Sequence, residues 1–232
     1  MRILAIGAHP DDIEFACGGI LLVERERGSD VKLCICSRGE AGTNGTPDER
    51  EAEARRAADL LSAEIVFLEC GGDSHIAQTN ENAFLLAREI RRCTPDIVLS
   101  SVTSEDQHPD HAAIGKLARD AVRYARYGGI AELRDVEPHT IAHHLQYAVT
   151  PGAEPDGATK LRVDISAQHE NWIRLMECHA TQLRTRRYIE LQTARARLLG
   201  VEAGVEYAQA LFASDDLLVA SLAELPRSVR LF

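Results

Sequence analysis

The sequence predicts an α/β fold: a Rossmann-like, mostly parallel sheet with helices on both faces and a helical C-terminal part. Three observations carry this. Apolar runs of strand length alternate with longer segments of helical spacing as far as residue 149, the pattern of a parallel sheet covered on both sides. Each of the first four runs leads at once into a polar, ionisable cluster. The 232 residues, 45% of them hydrophobic, carry no internal repeat or low-complexity tract. A single domain over residues 1–232 with one sizeable core is therefore expected.

The first strand is RILAIGA (2–8), which runs straight into His9, Asp11, Asp12 and Glu14 at the turn into a helix. The second, VKLCICS (31–37), is followed by the Gly/Thr/Asn-rich loop Ser37 to Thr46 and a helix over 46–63. That helix starts with Thr46 as N-cap, Pro47 at its first position and Glu49 as capping-box partner. EIVFLE (64–69) comes next, with Gly71 to His75 after it and a helix over 81–93. DIVLSS (96–101) precedes Ser104 to His111 and a helix over 108–125, and HHLQYAV (143–149) is the last sheet strand expected. Beyond the loop TPGAEPDGATK, LRVDI is a short strand candidate, and two or three helices are expected from Ser166 to Leu211.

In open α/β sheets, ligands bind beyond the carboxyl ends of the parallel strands. The four polar clusters should therefore surround one cleft. A formal net charge of −10 argues against a nucleic-acid partner. The N-terminal apolar run is too short for a signal peptide or a membrane span, so a cytoplasmic protein without a membrane span is expected. Six cysteines without a CxxC pair read as buried small hydrophobes.

Two short motifs carry chemistry. In HPDDIE, His9 and Asp12 stand three residues apart at a strand-to-helix turn; in HPDH, His108 and His111 have the same separation at a helix start. Two histidines and one carboxylate with open positions form the usual hydrolytic zinc arrangement, and His9, Asp12 and His111 are the expected ligands of Zn2+ or another divalent metal. Asp11 suits the general base, and His108 the stabilisation of an oxyanion or protonation of a leaving nitrogen. Glu14 is expected to orient its neighbours or to complement the helix N-terminus. The loop SRGEAGTNGTPDERE has neither GxxxxGK[ST] nor GxGxxG order, which disfavours a nucleotide.

Together AHPDDIE, SRGEAGTNGTPDERE and HPDH resemble the LmbE-like, or PIG-L, family of metal-dependent N-deacetylases. KLRVDIS, HATQL and GVEYAQAL extend the resemblance over most of the chain. Small bacterial N-acetylglucosaminyl deacetylases, including those of bacillithiol biosynthesis, are the nearest in length and loop. The resemblance implies zinc-assisted hydrolysis that releases acetate from a small N-acetylglucosamine-containing molecule, with the metal, base and acid roles just given. It implies that Arg50 contacts sugar hydroxyls, that Glu40 and Asp73 border the pocket, and that the chain forms a homo-oligomer such as a trimer or hexamer. Gln107, Gln209, Leu211 and the loop GGDSH depart from the family pattern; the last turns His75 toward the cleft. Of His143 and His144, adjacent on a strand, at most one can reach a given site. His179 is expected in helix packing or an oligomer contact, and Trp172 in the core. The competing readings are an amidase that removes a larger N-acyl group or cleaves a thiol conjugate, and a metal- or sugar-binding module without turnover.

Overall fold

The computed structural model describes residues 1–229. Seven strands form one sheet: β1 (Arg2–Gly7), β2 (Asp30–Ile35), β3 (Glu64–Phe67), β4 (Ile97–Ser101), β5 (His143–Tyr147), β6 (Lys160–Asp164) and β7 (Ala208–Ala213). Their order is β3-β2-β1-β4-β5-β7-β6. The first five run parallel, and β7 lies antiparallel to both β5 and β6. Among the described residues six α-helices cover the sheet: α1 (Asp12–Glu26), α2 (Pro47–Leu61), α3 (Asn80–Cys93), α4 (Pro109–Arg126), α5 (His169–Glu177) and α6 (Tyr188–Ala203).

Alternation along β1 divides the core. Ile3 and Ala5 join the cluster under α1, α2, α5 and α6, whereas Leu4 and Ile6 join the one under α3 and α4, as a strand with period two requires. The expected capping box starts α2: Thr46 Oγ1 accepts the Glu49 N–H and Glu49 accepts the Thr46 N–H. Trp172 is core, 1% exposed, and its indole N–H donates to the Glu14 carbonyl 2.8 Å away. All six cysteines are free thiols, five of them buried. No helix among the described residues is long and apolar enough to cross a membrane.

The C-terminal part departs from expectation in one respect. Residues 208–211, expected to be helical, belong to β7, and β5 is followed in the sheet by two further strands. AQALFA has no β-branched residue, so its strand state is imposed by pairing on both sides rather than by local preference.

The connection from β1 runs outward to β2 and β3, and the chain then returns to place β4 on the other flank of β1. Between β1 and β4 the strand order reverses, which opens a crevice at their carboxyl ends. His9 follows one of these strands and His108 the other.

Candidate active site

The first turn of α1 and that of α4 face each other across the crevice. His9 Nδ1 lies 3.3 Å from His111 Nε2, His111 Nε2 is 2.9 Å from Asp12 Oδ1, and His9 Nδ1 is 3.6 Å from Asp12 Oδ2. A tetrahedral ion bound at about 2.1 Å holds its ligand atoms about 3.4 Å apart, so the separations fit. Two ring nitrogens aimed at one another with a carboxylate beside them form a donor set for a divalent cation. All three residues are buried.

Their supports are local. Asp12 Oδ2 accepts the backbone N–H groups of Ala8 (3.0 Å) and His9 (2.9 Å). Burial opposes its charge, but His111 and His9 hold its carboxyl well below the usual carboxylate range. The other ring nitrogen of His9, Nε2, donates to Asp110 Oδ2 at 3.0 Å and lies 3.2 Å from Asp73 Oδ1. This arrangement orients the ring and turns Nδ1 toward His111 Nε2 and Asp12, the position a divalent cation would take. Burial works against a charged His9, yet Asp12, Asp110 and Asp73 outweigh it and push the ring up to about 12. In return, the hydrogen bond from His9 brings Asp73 down to about 2. His111 is held through its backbone, its carbonyl accepting Ser101 Oγ at 2.6 Å.

His9, His108 and Asp110 form a second cluster of ligand type. Its donors are already engaged: Asp110 accepts the Ser74 N–H (2.6 Å) as well as His9, and His108 Nδ1 accepts the Asp110 N–H (3.2 Å). That last bond makes His108 the N-cap of α4. With Nδ1 accepting, the proton of the neutral ring sits on Nε2. Burial, then the neighbouring His9 and His111, lower the His108 pKa and favour that neutral form.

Asp11 has φ 122°, a backbone state that costs an L-residue about 1–3 kcal/mol and that recurs at functional positions. Burial raises its carboxyl to about 6 against the pull of Arg50, whose Nη2 is 3.6 Å from Asp11 Oδ2. Arg50 is 4% exposed and spans three loops. It donates to the carbonyls of Gly39 (3.0 Å) and Pro10 (3.1 Å) and lies 3.7 Å from Asp73 Oδ2. A Cβ at Gly39 would run into the guanidinium, and φ there is +72°, so the crossing requires glycine. Glu40 accepts the Asp73 N–H at 2.9 Å and fixes the loop after β3.

Arg50 and Asp73 line a cleft of about 540 Å³, whereas Glu40, expected to border it, supports it through Asp73 rather than lining it. Its floor holds His9, Asp11, Asp12, His108 and His111; Ala41 to Thr43 form one wall, and Gln182, Tyr188, Leu191 and Gln192 form another. The other candidates sit elsewhere. His75 is exposed and turns its Nδ1 onto the Asp73 carbonyl (2.9 Å). His144 points into the core, with Nε2 2.9 Å from Ser100 Oγ, while His143 is exposed. His179 is fully buried within the chain, 3.5 Å from Glu14 Oε1, so its contact is internal packing rather than an oligomer contact. Glu14 faces that ring rather than the cleft. Gln107 folds onto the carbonyls of Val102 and Ser104, and Gln209 accepts the Ile20 N–H of α1. Asp110 was not singled out from the sequence, although it stands between the two histidines of HPDH.

Residues 4–122 match the GlcNAc-PI de-N-acetylase (PIG-L) family. The chain belongs to the PIG-L family. Among its relatives, the uncharacterised deacetylase YaiS of Escherichia coli is 30% identical over 133 residues, covering 52% of this chain and 68% of the relative. The 1D-myo-inositol 2-acetamido-2-deoxy-alpha-D-glucopyranoside deacetylase of Nakamurella multipartita is 25% identical over 235 residues, covering 78% and 80%. The crystal structure of GalB, a 4-carboxy-2-hydroxymuconate hydratase from Pseudomonas putida KT2440, superposes with TM-score 0.83 at 23% identity. It covers 95% of this chain and 99% of its own. The PIG-L match spans both candidate motifs, HPDD and HPDH.

Proposed function

We propose that the protein is a zinc-dependent hydrolase that removes the acetyl group from an N-acetylglucosamine-containing small molecule. The observation that carries this reading is the meeting of His9 Nδ1, Asp12 and His111 Nε2 within 3.6 Å, with Asp11 and His108 beside them on the cleft floor. Membership of a family described by de-N-acetylation supports the reaction class, and the named activity of the Nakamurella relative supports a sugar amide.

In this reading His9, Asp12 and His111 hold the ion, and Asp110 keeps the His9 ring turned toward it. A divalent cation there supplies acidity to a water and positive charge to the amide carbonyl. Asp11 takes the proton of the attacking water; Arg50 keeps its carboxyl ionised enough to do so. The C–O bond forms by addition to the amide carbonyl, and the C–N bond breaks afterwards, as the carbonyl reforms. His108 presents Nε2–H to the carbonyl oxygen as charge develops, and the proton that Asp11 took from the water passes to the departing amine nitrogen. Acetate and the free amino sugar leave. Arg50 is buried under backbone carbonyls, so any contact with a sugar hydroxyl is made by its remaining edge.

The test is acetate release from a panel of N-acetylglucosamine glycosides, with and without chelator, on wild type and Asp11→Ala. Wild type is expected to hold about one divalent ion per chain and to lose activity to chelator. Asp11→Ala should keep the ion and lose about a hundred- to ten-thousandfold in turnover. Loss of the ion in that variant would exchange the roles of Asp11 and Asp12. Because a hydratase shares the fold, the panel includes an unsaturated dicarboxylate; hydration of it without acetate release from any glycoside would overturn the deacetylase reading.

A further inference from the structure

The cleft wall from the C-terminal third contains a side chain whose orientation is dictated from behind. Gln182 is half-buried, with Nε2 2.9 Å from the Asn44 carbonyl oxygen and 3.0 Å from Thr181 Oγ1. A carbonyl oxygen only accepts, so the atom facing Asn44 is the amide NH2. The Thr181 hydroxyl lies 2.6 Å from Glu53 Oε2 and gives its proton there; its lone pairs are left to accept from Gln182. Glu53, 4% exposed, also accepts the Thr181 backbone N–H at 2.8 Å. The chain of donation therefore runs one way, from Gln182 to Thr181 to Glu53.

Both amide protons are consumed, and Oε1 has no partner among the described residues. Gln192, the other glutamine of this wall, differs. Its Nε2 donates to the Val149 carbonyl and its Oε1 accepts from Arg195, so both its ends are occupied within the protein. The loop before α2 is shaped for the same docking: Gly45 has φ +81°, and a Cβ there would sit 2.7 Å from Thr181 Cγ2.

We infer that Gln182 is a specificity-determining residue, an acceptor-only contact held by Glu53 and Thr181 that takes a hydroxyl donor of the substrate. A hydroxylated group is favoured at this point of the cleft and a carboxylate is disfavoured, because two acceptors would then face each other. The inference rests on the deacetylase reading for the identity of the hydroxylated ligand, and on the hydrogen bonds alone for the direction in which the amide points.

The test uses methyl glucosaminide, which offers the sugar hydroxyls and no amide to cleave, with its monodeoxy analogues. Calorimetric Kd values are measured for wild type, Gln182→Met, Thr181→Val and Thr181→Ser. In wild type one deoxy analogue is expected to bind about three- to tenfold more weakly. That penalty should vanish in Gln182→Met, shrink in Thr181→Val, where the amide is free to turn, and persist in Thr181→Ser, which keeps the hydroxyl. A loss of packing alone would weaken all the sugars equally. The same deoxy penalty in Gln182→Met as in wild type overturns this inference and leaves the deacetylase reading intact. Failure of wild type to bind any sugar of the set overturns both.

Discussion

Every ionisable side chain on the floor of the cleft stands at a strand end or in the first turn of α1, α2 or α4. The C-terminal third reaches the same cleft through one strap, His179 to Gln182, and through α6, and lines it with uncharged side chains. In the proposed reading the two regions divide the work. Charges are clustered where helix N-termini and backbone N–H groups point at one place, as around Asp12. The wall that meets the rest of a ligand comes from a part of the chain that must itself be held by buried polar contacts, as Thr181 is by Glu53. Chemistry on the floor and recognition on the wall should therefore fail separately when altered.

The largest effect is expected on the floor. His111→Ala removes one donor of three, and in a zinc hydrolase this should cost at least about a thousandfold in acetate release. Metal analysis should show the ion gone while the thermal midpoint of the metal-free protein stays near that of metal-free wild type. A variant that kept full metal content would break the division at its strongest point.

Arg50→Leu comes next, because Arg50 ties together the loops after β1, β2 and β3 that carry the floor. It leaves the carbonyls of Gly39 and Pro10 without a donor and Asp11 without its countercharge. Denaturant unfolding should show a loss of about 3–5 kcal/mol, together with a higher Asp11 pKa in the pH profile of kcat/KM.

At the seam between the regions lies His144 on β5. Burial lowers its pKa from 6.5 to about 4, with Asp215 opposing the shift and Arg119 adding to it. Between these values the unfolded chain binds the proton that the folded chain refuses. Its contribution is complete above the unfolded pKa and is lost as pH falls toward the folded one, at most about 3 kcal/mol. Stability measured from neutral pH down to the folded pKa should fall less steeply in His144→Leu than in wild type.

The smallest effect is expected behind the wall. Trp172→Phe removes the N–H that meets the Glu14 carbonyl, and should cost about 1–2 kcal/mol in unfolding free energy with metal content and kcat unchanged. A change in kcat would show that α5 reaches the chemistry through α1, and the separation of floor from wall would then need revision.

The legibility of the sequence follows the same boundary. β1, β2 and β4 are largely buried and read as mostly apolar runs, interrupted in β2 by Lys32, so the ionisable clusters after them stand out. The chemistry of HPDD and HPDH is local to a turn and needs only the strand-end rule to be brought together. The C-terminal third is set by tertiary pairing: β7, mostly Ala, Gln and Leu, has no β-branched residue, and its neighbours β5 and β6 make it a strand. Asp110 and Gln182 were missed for a related reason. Each acts by hydrogen bonds to residues distant in the chain, Asp110 to His9 and Gln182 to Asn44, and no spacing encodes such a pairing. Arg50 shows the limit most clearly, since its position in the first turn of α2 is local but its partners Pro10, Asp11, Gly39 and Asp73 are not.

The place of β7 also bears on biosynthesis. This strand is translated last of the seven yet sits inside the sheet, between β5 and β6. A nascent chain stalled before residue 208 would already have emitted every member of the proposed ion-binding set, while β6 waited unpaired and the edge of β5 lay open. The ribosome must release the chain through β7 before the sheet can close, and that interval is when this protein would benefit most from a chaperone.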